Sequence, residues 1–171
     1  KGKAFVDHVE FRDAGHAAMN DRDAFRFQNI GKSSGSYVTN SAFNWCFNTA
    51  VSVGKAQGIQ LSNNVVYHSV GSAFKIFDAG NVLRNNLVVH VVSETTYRGA
   101  ADRSHIRFIP WSDYVAAFEV KKENILDNNV AAGSERLGFK LHMPPCQQSE
   151  DSYSSFDGNV AHSTMIGLGS R

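Results

Sequence analysis

The sequence has few of the residues that define several common classes of protein. Two cysteines in 171 residues are too few for a disulfide framework and form no Cys-x-x-Cys zinc pair, so they leave the redox compartment open. No apolar run approaches the roughly 20 residues of a membrane-spanning helix. The net charge of +1 gives no electrostatic reason to expect a nucleic acid or an anionic membrane as partner.

Short catalytic and cofactor motifs are also missing. There is no nucleophile elbow, no His-Glu-x-x-His zinc motif and no dinucleotide fingerprint. Gly31-Lys32-Ser33 resembles the end of a phosphate-binding loop, but Arg26 stands where the first glycine of that loop belongs. We therefore expect no cofactor. No stretch sustains the 3.6-residue apolar period of an amphipathic helix, which favours an all-β chain.

A phrase that begins with asparagine returns along the chain. The leading residues are Asn40, Asn64, Asn86, Asn129 and Asn159, and they are separated by 24, 22, 43 and 30 residues. A period near 22, with three short β-rich runs and three turns in each repeat, predicts a parallel β-helix of about six or seven coils. We interpret residues 1–171 as a single segment of such a solenoid and as part of a longer protein, because Lys1 opens in the middle of the strand pattern.

The repeated asparagines have a structural explanation. Asn tolerates the left-handed backbone region that a tight corner needs, and stacked Asn side chains can bond to one another along a ladder. We predict that Asn40, Asn64, Asn86, Asn129 and Asn159 are coil corners and not catalytic residues.

Three segments interrupt the repeat, at residues 17–23, 93–114 and 143–155. They hold all three prolines, and long loops on a rigid solenoid are frequent binding sites. Whether 93–114 is an insert or an irregular coil is open at this stage. Cys46 and Cys146 fall on different coils, so we expect no bond between them.

A few polar residues could contact a ligand. His68 and His90 are 22 residues apart and should stack on adjacent coils, but no carboxylate column accompanies them, so we expect no metal site. Asp78 should lie beside His90 and is the most plausible carboxylate for contact with a sugar, yet a lone Asp is a weak acid–base catalyst. Arg26 and Arg84 are further candidates for contact with an acidic glycan.

An ordered set of phrases resembles a known β-helix region. Val9-Glu10-Phe11-Arg12, Val70-Gly71-Ser72-Ala73-Phe74 and Ala132-Gly133-Ser134-Glu135-Arg136 follow one another as they do in fibrocystin, fibrocystin-L and the related cell-surface hyaluronidases. The resemblance covers the whole chain. It implies a right-handed parallel β-helix in the ectodomain of a large membrane-anchored or secreted protein.

The departures from the hyaluronan-degrading relatives concern ionisable residues. Their "RYPIHFH" corresponds to residues 22–28, which contain no histidine, and their "IHGTHG" corresponds to residues 53–58, which contain none either. Their "GHAFFLEDG" corresponds to residues 71–80, where Asp78 is kept while the histidine and the glutamate are lost. Because glycan cleavage needs positioned acid and base groups, these losses favour a scaffold without the chemistry.

Three functions follow from this comparison. The first is a non-catalytic structural or adhesive module at a plasma-membrane or ciliary surface, whose partners are neighbouring segments of the same chain and surface proteins. The second is a polysaccharide-degrading enzyme that uses Asp78, His68 and His90, with Arg26 holding a uronate. The third is a module that binds a glycosaminoglycan without turnover, through Arg26, Arg84 and aromatic residues.

Overall fold

Three parallel sheets run the length of the molecule. The computed structural model describes residues 2–17, 19, 21–97, 114–121, 123–142 and 155–170. Each sheet takes one strand from each of six coils, so the strands of a sheet are three elements apart in sequence and neighbouring strands pair in parallel. The prediction of a parallel β-helix with about six coils is confirmed.

The strands are short, and the turns between them form the corners of the coils. Sheet A contains β1 (Phe5–Asp7), β4 (Tyr37–Thr39), β7 (Gln60–Ser62), β10 (Val82–Arg84), β13 (Ile125–Asp127) and β16 (Ser155–Asp157). Sheet B contains β2 (Glu10–Arg12), β5 (Ala42–Cys46), β8 (Val65–Val70), β11 (Leu87–Val92), β14 (Val130–Ser134) and β17 (Val160–His162). Sheet C contains β3 (Phe25–Lys32), β6 (Val51–Gln57), β9 (Phe74–Ile76), β12 (Ala116–Lys121), β15 (Leu137–His142) and β18 (Ile166–Ser170). One helical turn, α1 (Glu94–Tyr97), follows β11.

The core consists of columns of like side chains that stack from coil to coil. In sheet C, the rings of Phe74, Phe118 and Phe139 lie parallel, with centroids 5.2 and 5.0 Å apart. In sheet A, Val38, Leu61 and Leu83 form a fully buried column. Alternate residues on each strand face inward, so the period of two seen in the sequence sets which side chains fill the solenoid.

A ladder of buried asparagines links the coils at the corner between sheets A and B. The Oδ1 atom of Asn86 accepts from the backbone N–H of Asn64 at 3.1 Å and from its Nδ2 at 3.0 Å. Asn129 does the same for Asn86, and Asn159 for Asn129, at 2.9 to 3.1 Å. Each Nδ2 also donates to a carbonyl of the preceding coil, such as Leu61 O for Asn86. The ladder therefore satisfies backbone groups that the turn would leave unpaired.

The left-handed residue at this corner lies one position earlier than the sequence interpretation placed it. Asn63, Asn85 and Asn128 have φ of 56°, 54° and 54°, whereas the buried Asn64, Asn86 and Asn129 that follow them do not have positive φ. Asn159 follows Gly158, whose φ is 61°. Asn40 has φ of 49° and belongs to the exposed column, where its Nδ2 donates to Asp7 and its Oδ1 accepts from Asn63. The sequence interpretation gave one asparagine both the left-handed conformation and the ladder hydrogen bonds. In the structure these are divided between two neighbouring residues.

Candidate functional site

Charged side chains concentrate on the outer face of sheet C. Arg26, Ser52, Lys75, Glu119 and Lys140 occupy one column of register partners that point away from the core. Lys121 and His142 pair in the next outward column. This face carries more cations than anions among the described residues, which favours anionic ligands over cationic ones.

A shallow cleft of about 300 Å³ opens at the N-terminal half of this face, lined by Met19, Asp21, Asp23, Arg26, Asn48, Thr49, Lys75 and Phe77. Within it, the Arg26 guanidinium is paired with Asp21 and lies 3.6 Å from Asp23. Lys75 lies with its Nζ 5.4 Å from the Phe77 ring centroid, and the Nζ of Lys121 lies at the same distance. The cleft therefore presents an aromatic ring next to the Lys75 cation, and the same ring also contacts Lys121 outside the cleft lining.

The partly buried carboxylate of Glu119 contacts several polar side chains at the middle of the face. Glu119 accepts from Lys140 at 3.1 Å, from Ser72 at 2.9 Å and contacts His142 Nε2 at 3.2 Å. Burial alone raises the pKa of Glu119, but the Lys75 and Lys140 cations and the Ser72 hydroxyl outweigh it, so the pKa is lowered. The Lys140 side chain is only 1% exposed, which makes this pair a part of the packed structure.

Three of the positions compared above with the hyaluronidase motifs, Gln28, Gly54 and Phe77, lie side by side on this face. Gln28 pairs in register with Gly54, and Phe77 follows the register partner of Val53. A Cβ atom built at Gly54 would lie 2.7 Å from Gln28 Oε1 and 3.8 Å from the Phe77 ring. Gln28 Oε1 in turn accepts from Arg26 Nε at 3.0 Å. The space next to Gly54 is therefore occupied by the Gln28 side chain, which carries no ionisable group.

The structure does not bring the five candidate ligand residues together. Asp78 lies at the turn from sheet C to sheet A, where its carboxylate accepts the backbone N–H of Lys55. His90 lies within β11 of sheet B, so the expected proximity of Asp78 and His90 is wrong, because Asp78 lies at the turn between the other two sheets. Arg84 is on sheet A and pairs with Asp127 at 3.0 Å. Of the five, only Arg26 lines the cleft.

His68 and His90 stack as their spacing predicted. Their Nδ1 atoms are 3.0 Å apart, so one ring donates to the other, and the Trp45 ring centroid lies 4.1 Å from that of His68. All three residues have positive φ, from 55° to 63°, and form a bend in the strands of sheet B. Among the described residues, no group of three or more His, Cys, Asp or Glu side chains is placed to hold a metal ion.

This histidine pair makes stability depend on pH. Burial, and then the proximity of His90, lower the pKa of His68, so the folded state binds fewer protons than the unfolded state. We expect the free energy of unfolding to fall as pH drops below about 6.5, the ordinary value for histidine. The His68→Asn variant, which tolerates the left-handed backbone, should reduce the pH slope by less than the ~1.4 kcal/mol per pH unit of one whole proton.

Urea unfolding between pH 7.5 and 5, followed through the fluorescence of the two tryptophans, would measure this slope. His162→Gln serves as the matched control because His162 is exposed and its ring Nδ1 lies 3.3 Å from the hydroxyl of its neighbour Ser163. A His68→Asn slope equal to that of the unmodified chain would rule out the pair as the source of the pH dependence.

Glu135 and Arg136 contact the described residues at both ends of the 93–114 segment. Glu135 accepts from the backbone N–H of Ser93 at 2.6 Å and from the Thr96 hydroxyl at 2.7 Å. Burial raises the pKa of Glu135, but these donors lower it further than burial raises it. The Arg136 guanidinium lies 5.4 Å from the ring centroid of Tyr114.

Residues 98–113, and most of 143–155 with Cys146, lie outside the described residues. Cys46 is a buried thiol, and burial raises its pKa to about 12.

Comparison with known proteins identifies the family. The model described as CEMIP beta-helix matches residues 1–168. The chain belongs to the CEMIP beta-helix family. Mouse fibrocystin-L is 32% identical over 98% of the chain and human fibrocystin-L is 29% identical over 98%. Dog fibrocystin is 29% identical over 80% of the chain. No solved structure matches.

These relatives confirm the resemblance to the fibrocystin β-helix region. The chain spans only 4% of the length of either fibrocystin-L and 3% of dog fibrocystin, so it corresponds to a small part of those proteins. In the described part of the chain, no helix has the length and apolar character needed to cross a membrane.

Within this CEMIP beta-helix domain, sequence reasoning missed Glu119, Lys140 and His142. Glu119 and Lys140 are three strands apart in sequence and meet only because adjacent coils stack them. An apolar–charged alternation in Phe118-Glu119-Val120 and Phe139-Lys140-Leu141, 21 residues apart, was the available signal. It identifies a cross-strand pair of opposite charge once the coil period is known.

Proposed function

We propose that the chain is a non-catalytic structural module of a large fibrocystin-like extracellular protein. The observation that carries this proposal is the lack of ionisable side chains at three neighbouring positions on the outer face of sheet C. Gln28 occupies the space beside Gly54, and Phe77 stands where the relatives' motif has its glutamate. A general acid and a general base both need to reach the same bond, and Gln28, Gly54 and Phe77 supply neither.

The fold suits a rigid spacer. Its coils are joined by three continuous parallel sheets and by side-chain ladders at the corners, so load along the axis is shared by many hydrogen bonds. The segments that leave the coils, such as 93–114, are the natural contact surfaces for protein partners. We place the module at the outer face of a plasma or ciliary membrane, or in a secreted protein, with neighbouring parts of its own chain as its first partners.

A second candidate is binding of a glycosaminoglycan without turnover. It is favoured by the cleft, where Arg26, Lys75 and Phe77 combine cations with an aromatic ring. The neighbouring Asp21 and Asp23 oppose it, because they already neutralise Arg26. The enzymatic alternative is less supported, since Asp78 is held by a backbone N–H and lies away from both histidines.

Incubation of the purified chain with high-molecular-weight hyaluronan and with heparan sulfate separates these functions. We expect no shortening of either polymer and no retention on immobilised polymer at physiological salt. Shortened polymer would overturn the proposal. Retention that the Lys75→Gln variant weakens would favour the binding module, and Lys32→Gln, an exposed lysine outside the cleft, is the matched control.

A further inference from the structure

The outer face of sheet B carries no Asp, Glu, Lys or Arg side chain over four successive strands. The outward positions of β5, β8, β11 and β14 hold only apolar, aromatic, amide, imidazole and glycine residues. Two aromatic side chains of this face are well exposed, Trp45 by 41% and Tyr67 by 44%, and Val65 on the same strand as Tyr67 is 42% exposed. Exposed apolar side chains that lie together, unlike scattered ones, indicate a binding surface.

The rings of this face are held in one column by a recurring left-handed backbone conformation. Trp45, His68, His90 and Gly133 occupy equivalent positions of successive coils, and their φ angles are 55°, 58°, 63° and 70°. The ring centroids of Trp45 and His68 are 4.1 Å apart, and those of His68 and His90 are 4.8 Å apart. At Gly133 the column has no side chain, and a Cβ atom there would meet only backbone atoms of His90, at 3.7 and 3.9 Å. The stack therefore ends at the exposed His90 ring with free space beside it.

Polar atoms accompany the exposed rings: the Trp45 Nε1–H donor, the Tyr67 hydroxyl and the Nε2 atom of His90. His90 uses its Nδ1 to bond with His68, and no described residue hydrogen-bonds to any of these three atoms. A fourth polar atom, His68 Nε2, is buried without a partner. The cluster therefore combines aromatic faces with unused hydrogen-bonding groups, which suits a ligand ring that bears both C–H and hydroxyl groups.

The size of the face limits what it can bind. Four strands about 4.8 Å apart, with about four residues of about 3.3 Å along each strand, give an area on the order of 250 Å². A stable complex with a second copy of the chain needs about 800 Å² from each partner, so this face alone is too small for one. The Trp45 and Tyr67 rings meet edge to face, at 80° and with centroids 6.1 Å apart, which closes the gap that a proline ring of an extended peptide would enter.

We propose that Trp45, Tyr67 and His90 form a binding site for one uncharged sugar, a pyranoside whose C–H face stacks on the aromatic rings and whose hydroxyls bond to their polar atoms. The lack of cations on the face selects against sulfated sugars and uronates, because an anion would lose water there without gaining a partner of opposite charge. The inference goes beyond the structural role, and it involves none of the residues that line the cleft on sheet C.

Titration of the chain with methyl β-D-galactopyranoside and methyl β-D-glucopyranoside tests the proposal. The readout is the position of the Trp45 indole N–H signal in ¹⁵N–¹H correlation spectra. The chain has two tryptophans, and the Trp45→Asn variant identifies the signal while keeping a residue that tolerates the left-handed conformation. We expect a saturable shift with at least one of the two glycosides, with a Kd on the order of 1 mM for a ligand of about 13 non-hydrogen atoms.

Variants of Tyr67 separate stacking from a general effect of the added sugar. Tyr67→Thr removes the ring and keeps a residue that is favourable in strands, so Kd should rise about tenfold. Tyr67→Phe keeps the ring and removes only the hydroxyl, so Kd should rise about threefold. Phe5→Thr is the matched control, because Phe5 is 60% exposed on sheet A, away from this face, and its replacement should leave Kd unchanged.

The absence of a saturable shift with both glycosides would overturn the proposal, as would equal affinities of Tyr67→Thr and the unmodified chain. Tighter binding of methyl β-D-glucuronide than of the two neutral glycosides would overturn the selection for an uncharged ligand. A shift of the Trp45 signal that depends on protein concentration alone would assign the face to a second copy, and a shift with a tetraproline peptide alone would assign it to an extended peptide.

Discussion

Replacing Asn86 by leucine should remove about 3–5 kcal/mol from the free energy of unfolding, a large part of the 5–15 kcal/mol typical of a domain. Asn86 is 1% exposed and its side chain serves two coils at once. Its loss leaves the Asn64 N–H, the Asn64 Nδ2 and the Leu61 carbonyl without their partner. Buried groups that lose a hydrogen-bond partner cost about 1–3 kcal/mol each.

The adjacent Asn85 provides a matched control for that experiment. It is exposed, has φ of 54° and donates to Asn63 Oδ1 at 3.2 Å, so Asn85→Gly keeps the backbone conformation and removes only an exposed bond. We expect it to change stability by less than about 1 kcal/mol. Urea unfolding of both variants gives the comparison, and a loss below about 1 kcal/mol for Asn86→Leu would show that the ladder is not a main source of stability.

Asn85 and Asn86 also show how far the corner conformation can be predicted from the sequence. The 22-residue spacing of Asn64 and Asn86 predicts coils of that length, and the alternation in Val82-Leu83-Arg84 predicts which side faces the core. It does not tell which of two adjacent asparagines takes the left-handed conformation, because both residues tolerate it. Burial decides the question: only one of the two can point into the corner and reach the next coil.

The second asparagine ladder was missed for a similar reason. Asn81 and Asn124 stack at the corner between sheets C and A, where Asn124 Oδ1 accepts from Asn81 N at 2.8 Å. They are 43 residues apart, close to two periods, but their coils are separated by the 93–114 segment, which obscures the repeat. The neighbouring ladder position in the third coil is Ile59, so the column also lacks a continuous residue type.

For the candidate site, the sequence predicted only which ionisable residues are absent. The absence of histidine at Arg26, Gln28 and Gly54 is legible in the sequence once the resemblance is known. The sequence does not tell which side chain occupies the space beside Gly54. In the structure it is Gln28, which reaches that space from the adjacent coil. Such compensation joins residues 26 positions apart and follows from packing density, not from any local pattern.

Removing the carboxylate at the centre of sheet C should have an effect comparable to loss of the ladder. In Glu119→Leu, the buried Lys140 ammonium loses the carboxylate that lies 3.1 Å from it, and we expect a loss of about 3–5 kcal/mol. Lys75→Met is the matched control, since Lys75 is 3.9 Å from Glu119 and 37% exposed, and it should cost about 1 kcal/mol or less.

The double variant Glu119→Leu with Lys140→Met separates a buried charge from a packing defect. Because a well-packed apolar pair can replace a buried ion pair at little cost, the double variant should recover most of the stability lost by Glu119→Leu.

The Glu119 carboxylate also makes the contribution of this ion pair to stability depend on pH. The lowered pKa of Glu119 means that its contribution is complete above about pH 4.3 and is lost as pH falls through the lowered value. Urea unfolding at pH 7 and at pH 3.5 measures both effects. A double variant as unstable as Glu119→Leu would show that the side-chain volume, and not the broken Glu119–Lys140 ion pair, sets the cost.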